Sequence, residues 1–190
     1  AGSRKQEIKD NLPAMIKSAT KYVDHYQLVL AGAPSIDREY YDMVLNGIKN
    51  CGNIQIKIVN NETYPLLNHA VAALVTSGTA TLETAMFGVP QVVCYETPIP
   101  HLIRFGFDHV IKCKYISLVN LIADKEIVKE LFADRFSVSN ISEELGRILP
   151  GGEGRQKMLD EYEEVYKKLG DTIAPDNAAR IMFGLLNHKD

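Results

Sequence analysis

The residue types best suited to chemistry stand together in one segment, Ser77-Gly78-Thr79-Ala80-Thr81-Leu82-Glu83, which follows the apolar run Val71–Val75. Where a buried strand turns directly into a helix, the first free N–H groups of the helix can face an anion, and a glycine lets the backbone come close to it. The hydroxyls of Ser77, Thr79 and Thr81 could bind phosphate, and Glu83, one helical turn later, could reach the hydroxyls of a ribose. The segment therefore predicts a nucleotide-diphosphate site. The alternative is a plain strand–helix turn in which Ser77 or Thr79 caps the helix.

A second turn of the same kind opens the chain. Gly2-Ser3-Arg4 leads into a helical pattern that contains Glu7. The guanidinium group of Arg4 suits phosphate oxygens and could stabilise the charge that develops on a departing diphosphate. Such a turn normally follows a strand, and no strand signal precedes this one, so we expect the chain to begin within a structural unit. The alternative for this turn is a terminus without fixed structure.

Size and composition limit the function classes. The chain has 190 residues, of which 46% are hydrophobic and 24% charged, as expected for one globular domain with its own core. A formal net charge of −3 gives no support to a broad nucleic-acid-binding surface. The longest apolar runs are strand-sized, and no basic-then-apolar leader opens the chain, so we expect neither a membrane span nor a signal peptide. Three widely spaced cysteines without a Cys-x-x-Cys pair argue against a disulfide framework and a zinc site, and suit a reducing cytoplasm.

Strand and helix signals alternate through the first two thirds of the chain. This order, with continuously apolar strands, predicts an α/β domain with a doubly wound parallel sheet, Rossmann-like in class. The predicted strands are Gln27–Ala31, Ile54–Val59, Val71–Thr76 and Gln91–Tyr95, with a weaker one near Tyr115–Leu118. The predicted helices between them are Asn11–His25, Asp37–Asn50, Glu62–Asn68 and Thr79–Phe87.

The last third of the chain reads as mainly helical. Helices are predicted over Ser137–Leu149 and Glu153–Leu169, and a final one begins near Asp176. We therefore expect one domain over residues 1–190, with the sheet core in about 1–123 and a mainly helical part in about 124–190.

With both turns in view, the sequence resembles the C-terminal half of the lipid-A-disaccharide synthases, glycosyltransferase family 19. The resemblance covers essentially the whole chain, and the Tyr-x-Ser-Leu-x-Asn-Leu-x-Ala segment is its most diagnostic part. The matching pieces, in order, are Gly2-Ser3-Arg4 with Glu7-Ile8, Ser77-Gly78-Thr79-Ala80 with Leu82-Glu83, Pro90-x-Val92-Val93-x-Tyr95, Tyr115–Ala123 and Val128-Lys129-Glu130-Leu131.

The resemblance implies a glycosyltransferase of the GT-B type, built from two Rossmann-like domains. This chain would be the C-terminal domain that binds the UDP-sugar donor, without the N-terminal acceptor domain. The implied reaction transfers 2,3-diacylglucosamine from UDP-2,3-diacylglucosamine to 2,3-diacylglucosamine 1-phosphate in lipid A biosynthesis. It would be inverting, with no metal and no cofactor. The enzyme would be cytoplasmic, peripheral to the inner membrane of a Gram-negative bacterium, and the domain alone inactive.

The resemblance also implies which residues bind the nucleotide. Arg4 would stabilise the leaving group, and no catalytic base is assignable in this domain. Asn120 would lie near the donor, although it could instead cap a helix. Asn60-Asn61-Glu62 could recognise the uracil base through hydrogen bonds from backbone groups, or could be a plain polar loop. The implied nucleotide-binding residues are Gly2, Ser3, Arg4, Ser77, Gly78, Thr79, Thr81, Glu83 and Asn120.

Three alternatives remain open at this stage. The chain could belong to another GT-B enzyme that uses UDP-GlcNAc, a 2-epimerase or the peptidoglycan transferase, although Tyr115–Ala123 speaks against both. It could be a non-catalytic binding subunit that works only with a partner chain. The apolar side of the final helix, with Ile181, Met182, Leu185 and Leu186, would then pack on its own domain or mediate a homodimer. The stretch Ile99–Lys114 could contact acyl chains or anionic lipid, or be a helix packed on the sheet.

Overall fold

The computed structural model describes residues 1–48, 54–76, 78–97, 114–170 and 182–183. Strands and helices alternate along most of these ranges, and all the strand pairs are parallel. The chain is therefore an α/β domain of the Rossmann-like class, which confirms the predicted fold class.

The strands form two parallel sheets. In the first, β1 (Leu28–Gly32) pairs with β2 (Ile56–Asn60), with Leu28 opposite Ile56. In the second, β4 (Gln91–Tyr95) lies between β3 (Ala73–Val75) and β5 (Lys129–Phe132). The first four residues of β4 are buried, as expected for a central strand of a parallel sheet covered on both faces.

Seven α-helices occur in the described residues. Two of them are capped by a serine at the N-terminus. The hydroxyl of Ser117 accepts the backbone N–H of Asn120 in α5 (Leu118–Ala123), and that of Ser137 accepts the backbone N–H of Asn140 in α6 (Val138–Ile148). Two single 3-10 turns lie at Thr20–Tyr22 and Ala133–Arg135. The helices are α1 (Lys5–Ala19), α2 (Arg38–Asn46), α3 (Thr63–His69), α4 (Thr79–Met86), α5 (Leu118–Ala123), α6 (Val138–Ile148) and α7 (Arg155–Leu169).

Two element predictions are wrong. The weak strand near Tyr115–Leu118 is a loop that ends at Ser117, the N-cap of α5, because its apolar side chains precede a capping serine and do not continue a strand. The prediction of a mainly helical last third, with the sheet core ending near residue 123, missed β5, which pairs with β4 from Val92 opposite Lys129. Lys129 and Glu130 give that strand a charged start that hides its apolar pattern. The sheet therefore extends past residue 123.

The boundaries of the other elements shift by a few residues. The first helix begins at Lys5, six residues before its predicted start, and continues past Pro13 to Ala19. Strand β3 is shorter than predicted, with only Ala73–Val75 in the ladder. Strand β4 has the predicted limits.

The buried apolar residues form two clusters. The larger lies between β4, β5 and helices α5, α6 and α7, and contains Val92, Val93 and Tyr162. The smaller joins α1 to β1 and α2 through Ile8, Leu12 and Leu30. Helix α1 also packs against β4 and α6, so it covers both sheets. None of the described helices combines the length and the apolar character that crossing a bilayer requires.

Candidate functional site

The predicted phosphate turn begins helix α4 directly after strand β3. Gly78 is the N-cap residue, with φ 119° and ψ −163°, a conformation that is essentially restricted to glycine. Gly78 has no side chain with which to cap this helix end, and among the described residues no other side chain caps it. Gly78, Thr79 and Ala80 are exposed. The turn thus presents an uncapped helix N-terminus to solvent, the arrangement that binds phosphates and other anions in many proteins. Ser77, the first residue of the predicted site, lies outside the described residues.

The other predicted residues of α4 differ in their surroundings. Thr81 is fully buried, and its hydroxyl donates a hydrogen bond of 2.8 Å to the carbonyl oxygen of Gly78. This side chain is inaccessible and stabilises the first turn of the helix, so we leave Thr81 out of the proposed site. Glu83 is half-buried, and within the described residues its carboxylate has no hydrogen-bond or salt-bridge partner. Its carboxylate is therefore available to a ligand.

Two buried hydroxyls at this end of the sheet were not predicted as part of the site. Thr76, the residue after β3, is only 4% exposed, and its Oγ1 has no hydrogen-bond partner. Thr97, two residues beyond β4, also has a buried Oγ1 without a hydrogen-bond partner. Buried hydroxyls without partners are rare and costly in folded proteins. Both lie after the carboxyl ends of adjacent parallel strands, where α/β sheets bind ligands.

The second predicted turn is held together by Glu7. One carboxylate oxygen of Glu7 accepts the N–H of Ser3 at 3.0 Å, and the other lies 2.9 Å from Nη1 of Arg4. Gly2 has φ 102°, and a Cβ there would lie 2.7 Å from the Cβ of Glu7. Glycine is therefore required at this position both by the backbone conformation and by the close approach of Glu7. Arg4 is largely exposed, with 81% of its side chain accessible.

Hydrogen bonds place the first half of α1 near the carboxyl ends of strands in both sheets. Beyond β1, the hydroxyl of Ser35 donates to the carbonyl oxygen of Ser3 at 3.5 Å. Beyond β4, the N–H of Glu96 donates to Oδ1 of Asn11 at 2.7 Å. Asn11 is fully buried inside a helix, and its Nδ2 donates to the carbonyl oxygen of Glu7. The Gly2–Arg4 turn therefore lies at the sheet edge where parallel α/β folds bind ligands.

Glu96 adds negative charge to this edge. Burial raises the pKa of its carboxyl group, and the neighbouring Asp10 raises it further.

Sequence reasoning did not single out Asn11, Thr76 or Glu96. The only signal for Asn11 was a polar residue within the apolar repeat of α1, which is also typical of a solvent-facing position.

Asn120 lies in a buried network and not at the surface. Its Nδ2 donates to the carbonyl oxygen of Val128 at 2.8 Å and to the carboxylate of Glu130 at 2.9 Å. Its Oδ1 accepts the N–H groups of Ile127 and Val128. An amide side chain has two donor hydrogens and two acceptor lone pairs, so all four are in use. A side-chain contact with nucleotide would require some of these bonds to break, and we therefore leave Asn120 out of the proposed site. The N-cap of α5 is Ser117.

The predicted uracil loop follows β2. Asn60 is exposed, Asn61 has a left-handed backbone with φ 58°, and Glu62 precedes helix α3. The side chain of Asn60 lies against Gly32 of the neighbouring strand, since a Cβ on Gly32 would be 1.9 Å from Oδ1 of Asn60. The loop is thus formed against the end of β1, and its contact with a base stays a prediction.

Two further predictions lie wholly or mostly outside the described residues. These are the lipid-contacting stretch Ile99–Lys114, of which only Lys114 is described, and the final helix from Asp176. Within the latter, Met182 and Phe183 are helical and exposed.

Comparison with known proteins identifies the family. A family model described as lipid-A-disaccharide synthetase matches residues 1–181 of the chain. The chain belongs to the lipid-A-disaccharide synthetase family. A lipid-A-disaccharide synthase from Acidobacterium capsulatum is 32% identical over 179 residues, which are 88% of this chain and 44% of that protein. Those from Myxococcus xanthus and Syntrophus aciditrophicus are 32% and 31% identical and cover 97% and 100% of this chain.

The match confirms the resemblance predicted from the sequence and extends over both phosphate-type turns. The chain spans about half the length of these lipid-A-disaccharide synthetase relatives, between 44% and 49% of each. Within the described residues, the structure adds the local geometry: an exposed helix N-terminus without a side-chain cap at Gly78, a carboxylate without a partner at Glu83, and a turn at Gly2–Arg4 held by Glu7.

Proposed function

We propose that this domain binds the UDP-sugar donor of a lipid-A-disaccharide synthase. The diphosphate would lie at the N-terminus of α4, held by the N–H groups that follow Gly78 and by the hydroxyls of Ser77 and Thr79. Glu83 would accept hydrogen bonds from the ribose hydroxyls. The observation that carries the proposal is the start of α4, which is exposed, has no side-chain cap and opens on a glycine at φ 119°.

Arg4 would act on the leaving group. Its guanidinium group is exposed, and Glu7 is its partner. Arg4 is 81% exposed and Glu7 only 19%, so solvent weakens the ion pair on the arginine side, where the guanidinium group can also meet a phosphate. A guanidinium on the diphosphate would stabilise the charge that builds up as UDP departs. Gly2 and Ser3 would add backbone contacts from the same turn.

The complete reaction would be an inverting transfer. A hydroxyl of 2,3-diacylglucosamine 1-phosphate would attack C1 of the sugar in UDP-2,3-diacylglucosamine, the C1–O bond to UDP would break, and the hydroxyl proton would pass to a base. We assign that base and the acceptor pocket to the N-terminal acceptor domain that the family resemblance implies, and the proposal uses Glu83 for the ribose. We also propose that the donor-binding domain spans residues 1–190, contacts the inner membrane surface and forms a homodimer.

Calorimetry with UDP tests the proposed site. Wild type should bind UDP, and Glu83→Ala should weaken binding about tenfold, the loss of about 1.4 kcal/mol expected for one hydrogen-bonding group. Glu143→Ala, which removes an exposed carboxylate from α6, is the matched control and should bind like wild type.

Uridine and pyrophosphate, the two parts of UDP, test the ribose contact and the diphosphate contact separately. Glu83→Ala should weaken binding of uridine but not of pyrophosphate, because only the ribose contact is lost. A folded wild-type protein that gives no heat with UDP, or a Glu83→Ala variant that binds UDP as tightly as Glu143→Ala, would contradict the proposal.

A further inference from the structure

Asn11 of α1 is a buried amide that joins the helix to the loop after β4. It is only 1% exposed, and Ile8 and Met15, its neighbours on the same face of the helix, are buried and apolar. Its Nδ2 donates to the carbonyl oxygen of Glu7 at 2.8 Å, and its Oδ1 accepts the N–H of Glu96 at 2.7 Å. The second bond joins residues 85 positions apart in the chain, so it fixes the path of the loop relative to α1.

Stability alone does not account for an amide at this position. A hydrogen bond contributes only a small net free energy to folding, because both partners would otherwise bond to water. Glu96 is exposed, so water could take its N–H if residue 11 were apolar. An apolar side chain would also enter the buried face of α1 without the cost of desolvating an amide. The role of Asn11 is therefore better explained by the place at which it holds the loop.

That loop lies next to both turns of the proposed donor site. Strand β4 contacts α1, which begins after the Gly2–Arg4 turn, and α4, which begins at Gly78. It is also the neighbour of β3, the strand that leads to Gly78. Asn11 lies about 10 Å along the helix from Arg4, a distance that the long arginine side chain can largely span. The residues after β4 therefore emerge at the sheet edge between Arg4 and the N-terminus of α4.

The loop carries a hydroxyl that has no internal use. Oγ1 of Thr97, the residue after Glu96, is buried and has no hydrogen-bond partner in the described part of the chain. A hydroxyl can donate one hydrogen bond and accept two, and an unused buried hydroxyl costs free energy. An oxygen atom of a ligand at this edge would supply the missing acceptor.

We propose that Thr97 is a further diphosphate contact of the donor site and that Asn11 is the positioning residue that holds it there. This inference rests on the proposed function, because it takes the diphosphate to lie at the start of α4. The hydroxyl of Thr97 would donate to a phosphate oxygen on the side that faces α1 and Arg4. Asn11 would not touch the ligand. It would act through the N–H of Glu96, the residue before Thr97.

Calorimetry with UDP, pyrophosphate and uridine tests the contact. Thr97→Val, which keeps the shape of the side chain and removes the hydroxyl, should weaken binding of UDP and pyrophosphate about tenfold and leave uridine binding unchanged. Thr97→Ser, which keeps the hydroxyl, should bind all three ligands like wild type. Glu83→Ala should give the opposite pattern, with uridine binding weakened and pyrophosphate binding unchanged, so the two contacts are measured separately.

A double-mutant cycle tests the positioning role. Asn11→Ala should weaken UDP binding as Thr97→Val does, and the double variant should bind no more weakly than either single variant, because both changes remove the same contact. Ile16→Val is the matched control, since it shortens a buried side chain of the same helix and should lower stability without changing the UDP affinity. Hydrogen exchange of the Glu96 amide should become faster in Asn11→Ala but not in Ile16→Val.

The outcomes distinguish this inference from the proposed function. A Thr97→Val protein that binds UDP as tightly as wild type, while Glu83→Ala binds it more weakly, would overturn the inference and leave the proposed function standing. Additive losses from Asn11→Ala and Thr97→Val would overturn the positioning role. A folded wild-type protein that binds no UDP would overturn both.

Discussion

The Nδ2 of Asn120 in α5 lies 2.9 Å from Oε1 of Glu130 in β5, and both side chains are buried. The same carboxylate accepts the N–H groups of Ile116 and Ser117 and the hydroxyl of Ser117. Four donors thus surround one buried carboxylate, which explains how a charged residue is accommodated in an apolar strand. The network joins the family's most diagnostic sequence segment to the edge of the sheet.

Asn120→Ala should lower the free energy of unfolding by about 2–4 kcal/mol. The change leaves two backbone N–H groups and part of the Glu130 carboxylate without partners in a buried position. Urea unfolding measures the loss. Asn140→Ala, at the equivalent position of α6, removes an exposed hydrogen bond to the carbonyl oxygen of Arg135 and is the control, with an expected loss below about 1 kcal/mol. A stable Asn120→Ala protein with weakened UDP binding would instead restore the nucleotide contact that the sequence suggested.

Gly78→Ala should destabilise the protein and weaken UDP binding together. No atom lies within 4 Å of a Cβ at Gly78, so the cost of about 1–3 kcal/mol comes from the backbone conformation alone. Gly88→Ala is the matched control, since Gly88 has φ 65° at the other end of α4 and is also surrounded by open space. It should cost about 1 kcal/mol and leave the UDP affinity unchanged. Similar losses of affinity in the two variants would indicate a general effect of instability.

Thr76→Val should raise the stability slightly, by about 0.5–1 kcal/mol. Valine has nearly the same shape and removes a buried hydroxyl that has no hydrogen-bond partner. If that hydroxyl contacts bound nucleotide, the same change should reduce UDP affinity while the unbound protein becomes more stable. Thermal unfolding with and without saturating UDP separates the two effects. A clear loss of stability without UDP would mean that Thr76 has an internal partner after all.

Gly32→Ala should disturb the loop after β2. A methyl group at this position would lie 1.9 Å from Oδ1 of Asn60, so the Asn60 side chain must move or the strands must separate. We expect a loss of about 1–3 kcal/mol, partly relieved by Asn60→Gly in the double variant. A double-mutant cycle in urea measures the coupling, and additive losses would show that the two residues do not interact.

Local patterns in the sequence were sufficient for the fold class and the strongest elements. Strand β4 has its predicted limits because Val92, Val93 and Cys94 are buried on both faces of the sheet and read as a continuous apolar run. The turn at Gly78 was also predictable, since few residues other than glycine can stand between a buried strand and a helix in that conformation. The same patterns predicted the family, which the comparisons confirm.

Only the tertiary structure decided which polar residues are internal and which are available to a ligand. Thr81 and Asn120 look like phosphate contacts in the sequence, yet both are buried and use their side chains within the fold. Glu130 looks like a surface charge, but its partners come from a loop more than ten residues away. Whether a hydroxyl, amide or carboxylate has internal hydrogen-bond partners depends on neighbours that folding brings close, and a local sequence pattern does not predict those neighbours. The nucleotide contacts at Gly78 and Glu83 were therefore predicted from the sequence and stay predictions, whereas the decision to leave Thr81 and Asn120 out of the proposed site required the packed structure.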